Sequence, residues 1–116
     1  MTAKRIVLEV GPGTDWHGGD YTKAAVRAVQ DAIHHCSLPI FRSYGIDPRT
    51  MAVDVTVGVQ RPERVDPAPI TAALPYGQIA VKAVTGGLDV YNEDSGETAV
   101  IANAAIVVRL DLANVK

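Results

Sequence analysis

A chain of 116 residues, 47% of them apolar, is the size of one domain and can bury a core, which excludes a disordered segment. A formal net charge of −2 with no basic run excludes a nucleic-acid binder held by phosphate contacts, and no stretch approaches the ~20 apolar residues of a membrane span. Cys36 is the only cysteine, which excludes an internal disulfide and a thiolate metal cluster, so a reducing cytoplasm is the expected location.

Met1 to Arg5 shows no cleavage-site pattern and leads into a first strand, Lys4 to Val10, with Ile6, Leu8 and Val10 on one face. The run Gly11-Pro12-Gly13-Thr14-Asp15-Trp16-His17-Gly18-Gly19 reads as a glycine-rich turn ending at Asp20, an N-cap residue. Helical spacing of Ala25, Ala28, Val29, Ala32, Ile33 and Cys36 predicts a helix from Tyr21 to Cys36. Ser37 to Thr50 reads as a loop with a short helical turn.

Met51 to Val59 alternates cleanly: Met51, Val53, Val55, Val57 and Val59 face one way, and Ala52, Asp54, Thr56 and Gly58 the other. After a turn at Arg61 to Pro67, Asp66 caps a short helix with Pro67 at its first position, ending near Leu74. Gln78 to Val84 reads as a strand, Gly86-Gly87 as a hairpin turn and Leu88 to Tyr91 as its return strand. An acidic turn, Asn92 to Glu97, precedes a long apolar strand, Ala99 to Leu112, expected to be bent or bulged.

The order β-α-β-α-β-β-β predicts an α+β two-layer sandwich, with two helices on one face of a four- to five-stranded sheet. The other sheet face is left with valine-rich strands and no helix. Copies of the same chain are the expected cover, which makes the protein a homo-oligomer.

Chemistry gathers around the glycine-rich turn. Backbone N–H groups of Gly11, Gly13, Gly18 and Gly19, with Asp20 and Thr22, suit a small anionic or polar ligand. The turn lacks the Gly-Lys-Ser/Thr of a phosphate loop. Lys23, one turn past the cap, opposes the helix dipole and fits a bound anion or an activated nucleophile; a solvated lysine is the alternative. Thr56 is a candidate nucleophile, and Glu9, Asp15, His17 and Asp20 are candidate acid–base groups. No cofactor motif is present, although the same four residues are an alternative set of divalent-metal ligands. Asn103, in the run from Ile101 to Ile106, reads as a buried amide bridging strands or reaching a ligand.

Two resemblances rest on particular segments. The segments are Glu9-Val10-Gly11-Pro12-Gly13, His17 to Ala25, Asp31-Ala32-Ile33-His34-His35, Ala73-Leu74-Pro75-Tyr76-Gly77 and Val100 to Ala105. Through them nearly the whole chain resembles a family of short, single-domain conserved hypothetical bacterial proteins. More distantly, the first half resembles one repeat of the ring-opening amidohydrolases, the cyanuric acid hydrolase and barbiturase family. Gly19-Asp20-Tyr21-Thr22-Lys23 is similar to that family's helix-start motif, with lysine in place of arginine. Thr56-Val57-Gly58 falls at its Ser-Gly-Gly position, and its catalytic lysine has no counterpart in Gly11-Pro12-Gly13-Thr14.

The second resemblance implies a homotrimer rebuilding a threefold architecture, with Lys23, Thr56 and the glycine-rich turn near the axis. The expected function is small-molecule binding at subunit interfaces, extending to hydrolysis of cyclic or linear amides and imides through Lys23, Thr56, Glu9 and His17. The alternative is a non-catalytic ligand-binding or scaffold oligomer. Neither nucleic acid nor membrane is an expected partner.

Overall fold

The computed structural model describes residues 4–34, 47–74 and 77–110. Its elements are β1 (Lys4–Asp15), α1 (Tyr21–His34), a 3-10 turn (Pro48–Thr50), β2 (Ala52–Val59), a second 3-10 turn (Pro62–Arg64), α2 (Pro67–Ala72), β3 (Gln78–Thr85), β4 (Leu88–Asn92) and β5 (Glu97–Leu110). The expected helix end at Cys36, the loop between Ser37 and Ile46, and Leu112 lie outside the described residues.

The sheet has five strands in the order β1-β5-β2-β3, and β4 also pairs with β5. β5 runs antiparallel to β1, β2 and β4, while β2 and β3 are parallel. The parallel pair needs a crossover, and α2 supplies it. Asp66 starts α2 as expected: its carboxylate accepts from the Ala68 N–H at 3.0 Å, with Pro67 next in line.

β5 is long because different partners extend it on one side. Val53 to Gly58 of β2 pair with Val108 to Asn103, and Leu88 to Asn92 of β4 pair with Ile101 to Glu97. The expected irregularity falls on β1, where the register shifts between Arg5 and Val7, rather than within β5.

The two helices among the described residues lie on one side of the sheet. Alternate residues of β5 (Val100, Ala102, Ala104, Ile106, Val108) and β2 (Met51 just before it, then Val53, Val55, Val57, Val59) are buried there against Tyr21, Ala24, Ala25, Ala28, Val29 and Ala32 of α1. Full burial of each valine is worth about 1.5 kcal/mol or more, enough to fix which face of β2 turns inward.

Two sequence readings are corrected. Gly11 and Gly13 are not in a turn: β1 continues through them to Asp15, paired with Ala104 and Ala102 of β5. They are glycines because α1 lies on them. A Cβ at Gly13 would stand 2.2 Å from the Ala28 nitrogen and 2.3 Å from the Ala24 carbonyl oxygen.

Gly86-Gly87 is likewise no hairpin. β3 and β4 run in the same direction and do not pair with each other. The two glycines carry the chain across the end of β2, from pairing with β2 to pairing with β5. Gly87 takes φ +62°, and a Cβ there would meet the Ile101 carbonyl oxygen at 2.0 Å. The true hairpin is β4–β5, closed by the Gly96 N–H donating to the Asn92 carbonyl at 2.8 Å.

Candidate functional site

The turn after β1 is held by Asp15, whose side chain is buried. Its Oδ2 accepts from the Asp20 N–H at 2.9 Å, and its Oδ1 lies 3.8 Å from Arg27 Nη1 and 4.0 Å from Lys23 Nζ. Asp20 caps α1 as expected, with Oδ1 accepting from the Lys23 N–H at 3.0 Å. The Thr22 hydroxyl accepts from the Asp66 N–H at 2.9 Å, which ties α1 to α2.

His17 Nδ1 is 2.7 Å from Glu97 Oε2 on the surface, and Gly18 bridges to Thr98. Gly19 takes φ +63°, a conformation that favours glycine, with open space around its missing Cβ. Glu9 sits opposite Ile106, a core residue, and so belongs to the helix-covered side. Among the described residues no three His, Cys, Asp or Glu side chains gather as metal ligands.

The Tyr21 hydroxyl, on the same side, donates to Asp89 Oδ2 at 2.5 Å. That hydrogen bond, burial and the Asp89 charge raise the phenol above its ordinary value, with Arg61 opposing them. The neutral phenol is therefore the form that stabilises the fold. Its contribution is complete below pH ~10 and is lost as pH rises through the higher folded-state value. Tyr21→Phe is expected to cost about 1–2 kcal/mol at pH 7. The gap from wild type should narrow above pH ~10 in urea titrations; a gap that stays constant into alkali contradicts the assignment.

The second place is the sheet face that no helix among the described residues covers. Register puts Leu8 opposite Val107, Val10 opposite Ala105, Leu88 opposite Ile101 and Val90 opposite Ala99, all on this side. Leu8 is 49% exposed, Val10 63%, Leu88 60% and Val90 52%; singly each is ordinary, but four on one side of one sheet mark an interaction surface.

Within this face lies a groove of about 600 Å³ bordered by Val10, Pro12, Thr56, Gly58, Gly86 and Asn103. Its floor is low because Gly58 and Gly86 carry no side chain. A Cβ at Gly86 would stand 3.1 Å from the Gly58 Cα. The volume falls in the range of small-molecule sites, roughly 300–1,000 Å³.

Thr56 thus lies where its alternation placed it. Asn103 does not: it is exposed on the open face and makes no bridge within the sheet. Lys23 and Thr56 do not share a side of the sheet within one chain, because α1 covers the opposite face. The lysine on Thr56's own face is Lys82, its direct neighbour in the β2–β3 register. Sequence reasoning passed over Lys82. A strand–helix–strand order signals parallel pairing, but the register that aligns Lys82 with Thr56 is not written in either strand alone. Gly11 keeps one link to the groove, bordering it from β1.

The architecture is that of an α+β protein with a mixed sheet open on one face. It is shared with the crystal structure of an FtsZ-like protein of unknown function from Nostoc punctiforme PCC 73102, at 35% identity and a TM-score of 0.84 over 96% of this chain and 98% of that one. The chain belongs to the conserved hypothetical protein family Lin0512_fam, which it matches over residues 5–108. Among curated proteins none matches it. No helix among the described residues is long and apolar enough to cross a membrane.

Proposed function

We propose that the protein is a small-molecule-binding homo-oligomer, a trimer, whose ligand sits in the open-face groove and is closed in by a neighbouring copy. The observation that carries this reading is the groove itself. A hydroxyl and an amide, on Thr56 and Asn103, stand unbonded among the described residues in a largely apolar groove, on a face that none of those residues covers. Asparagine offers both donor and acceptor, and threonine adds a hydroxyl, so the ligand class is a planar amide or imide.

A second copy suits the face because Asp54 and Arg109, the charges beside its valines, already satisfy each other within the chain: Arg109 Nε lies 3.1 Å from Asp54 Oδ2. The trimer follows the resemblance to the ring-opening amidohydrolases, and the single cysteine suits work in the cytoplasm.

Hydrolysis of the bound amide is the second reading, with Thr56 as the attacking hydroxyl. It is favoured by an amine, Lys82, on the same face in register with Thr56.

Thermal-shift and calorimetric titration with succinimide, hydantoin and barbiturate tests the proposal. At least one is expected to bind, and Thr56→Ala and Asn103→Ala are each expected to weaken it about five- to tenfold, the worth of one hydrogen bond. Unchanged affinity in both variants, or no binding by any of the three, overturns it. Product formation during the titration separates the hydrolytic reading from simple binding.

A further inference from the structure

A charge stands next to the groove, one strand away from its lining residue Thr56. Thr56 pairs with Ala105 on one side and Lys82 on the other, so all three project from the open face. Lys82 is exposed and has no ion-pair or hydrogen-bond partner among the described residues.

The remaining charges on this face are placed or occupied elsewhere. Asp54 and Arg109 neutralise each other, and Glu97 is engaged by His17. Arg5 stands opposite Arg109, toward the far end of β1 from Val10. One uncompensated positive charge is left beside the Thr56 hydroxyl.

We propose that the groove's ligand is a small carboxylate that also bears a planar amide or ureido group. Lys82 holds the carboxylate, and Asn103 with Thr56 holds the amide. This deepens the ligand-binding reading above and rests on it.

The geometry fits such a molecule. Lys82 on β3 and Asn103 on β5 flank β2 from opposite sides, a separation of roughly 10 Å between strand axes that the lysine stem shortens. An ammonium is a compact, mobile donor of charge-assisted hydrogen bonds, whereas the asparagine amide pairs best with a neutral donor–acceptor edge. A dianion would leave one charge uncompensated on an apolar surface, and a cation would meet Lys82 with repulsion.

Hydantoin and N-carbamoylglycine make a matched pair of probes. The first is a neutral ring at pH 7. The second is the same skeleton opened by water to a carboxylate. Calorimetry at low salt is expected to show N-carbamoylglycine binding about tenfold more tightly, the worth of one charge-assisted contact. Lys82→Gln should abolish that preference while leaving hydantoin binding in place, and Lys82→Arg should retain most of it.

Equal or tighter binding of hydantoin, or a preference that survives Lys82→Gln, overturns the carboxylate assignment and leaves the groove reading standing. Binding of neither probe to the wild-type protein overturns both.

Discussion

Replacing Gly13 with valine is expected to destabilise the protein by about 3 kcal/mol or more, a large share of the roughly 5–15 kcal/mol that holds a domain together. The reason is the closeness of α1 to β1. A first side-chain carbon at Gly13 would lie 2.2 Å from the Ala28 nitrogen and 2.3 Å from the Ala24 carbonyl oxygen, both backbone atoms of the helix. No rotamer change relieves a clash with backbone, so the whole helix has to lift.

Lifting α1 strips Ala24, Ala25, Ala28 and Val29 from the core they share with Ile106 and Val57. Gly11, with its clash at 2.5 Å against the Ala32 nitrogen, marks the same contact one step along the strand. The change shows as a fall in the urea midpoint. Gly19→Ala, at a glycine with open space around it, should cost only about 1 kcal/mol for its positive φ. Equal losses at the two positions would contradict the role given to Gly13.

That contact also explains where the sequence was hard to read. The alternation of Met51 to Val59, the Asp20 cap and the Asp66-Pro67 helix start are local patterns, and each has its expected place in the fold. Glycines are ambiguous by nature. Gly11 and Gly13 resemble turn residues, yet what requires them is a helix crossing overhead, encoded in the small alanines of α1 rather than beside the glycines. Gly86-Gly87 resembles a hairpin, yet the requirement is a crossing over Gly58, distant in sequence. The site suffered the same way. Thr56 was legible from its own strand, but its neighbours Lys82 and Asn103 come from β3 and β5 and depend on inter-strand register. Lys23 was legible as an unusual cation at a helix start, and the structure gives it a local place, near the buried Asp15.

The other large effect concerns the open face. Val10→Lys combined with Val90→Lys is expected to dissociate the proposed oligomer while the subunit stays folded. Both valines are more than half exposed in the single chain, at 63% and 52%, so a lysine at either position costs the isolated subunit little. In the assembled state the same lysines would be buried against apolar side chains without a partner, at a cost of several kcal/mol per charge. Subunit dissociation constants should rise at least about 100-fold, while the far-ultraviolet circular dichroism stays that of the wild type. Gln30→Lys, on the exposed side of α1, should change neither. An oligomer that persists in the double variant would mean that the copies meet elsewhere.

On the proposed reading, identical chains cover the bare sheet face and complete the groove between them. Light scattering on the wild-type protein at micromolar concentration tests it most directly. The expected mass is about three times the 12.3 kDa of the chain. A particle of 12.3 kDa, folded and still binding its ligand, would contradict the claim.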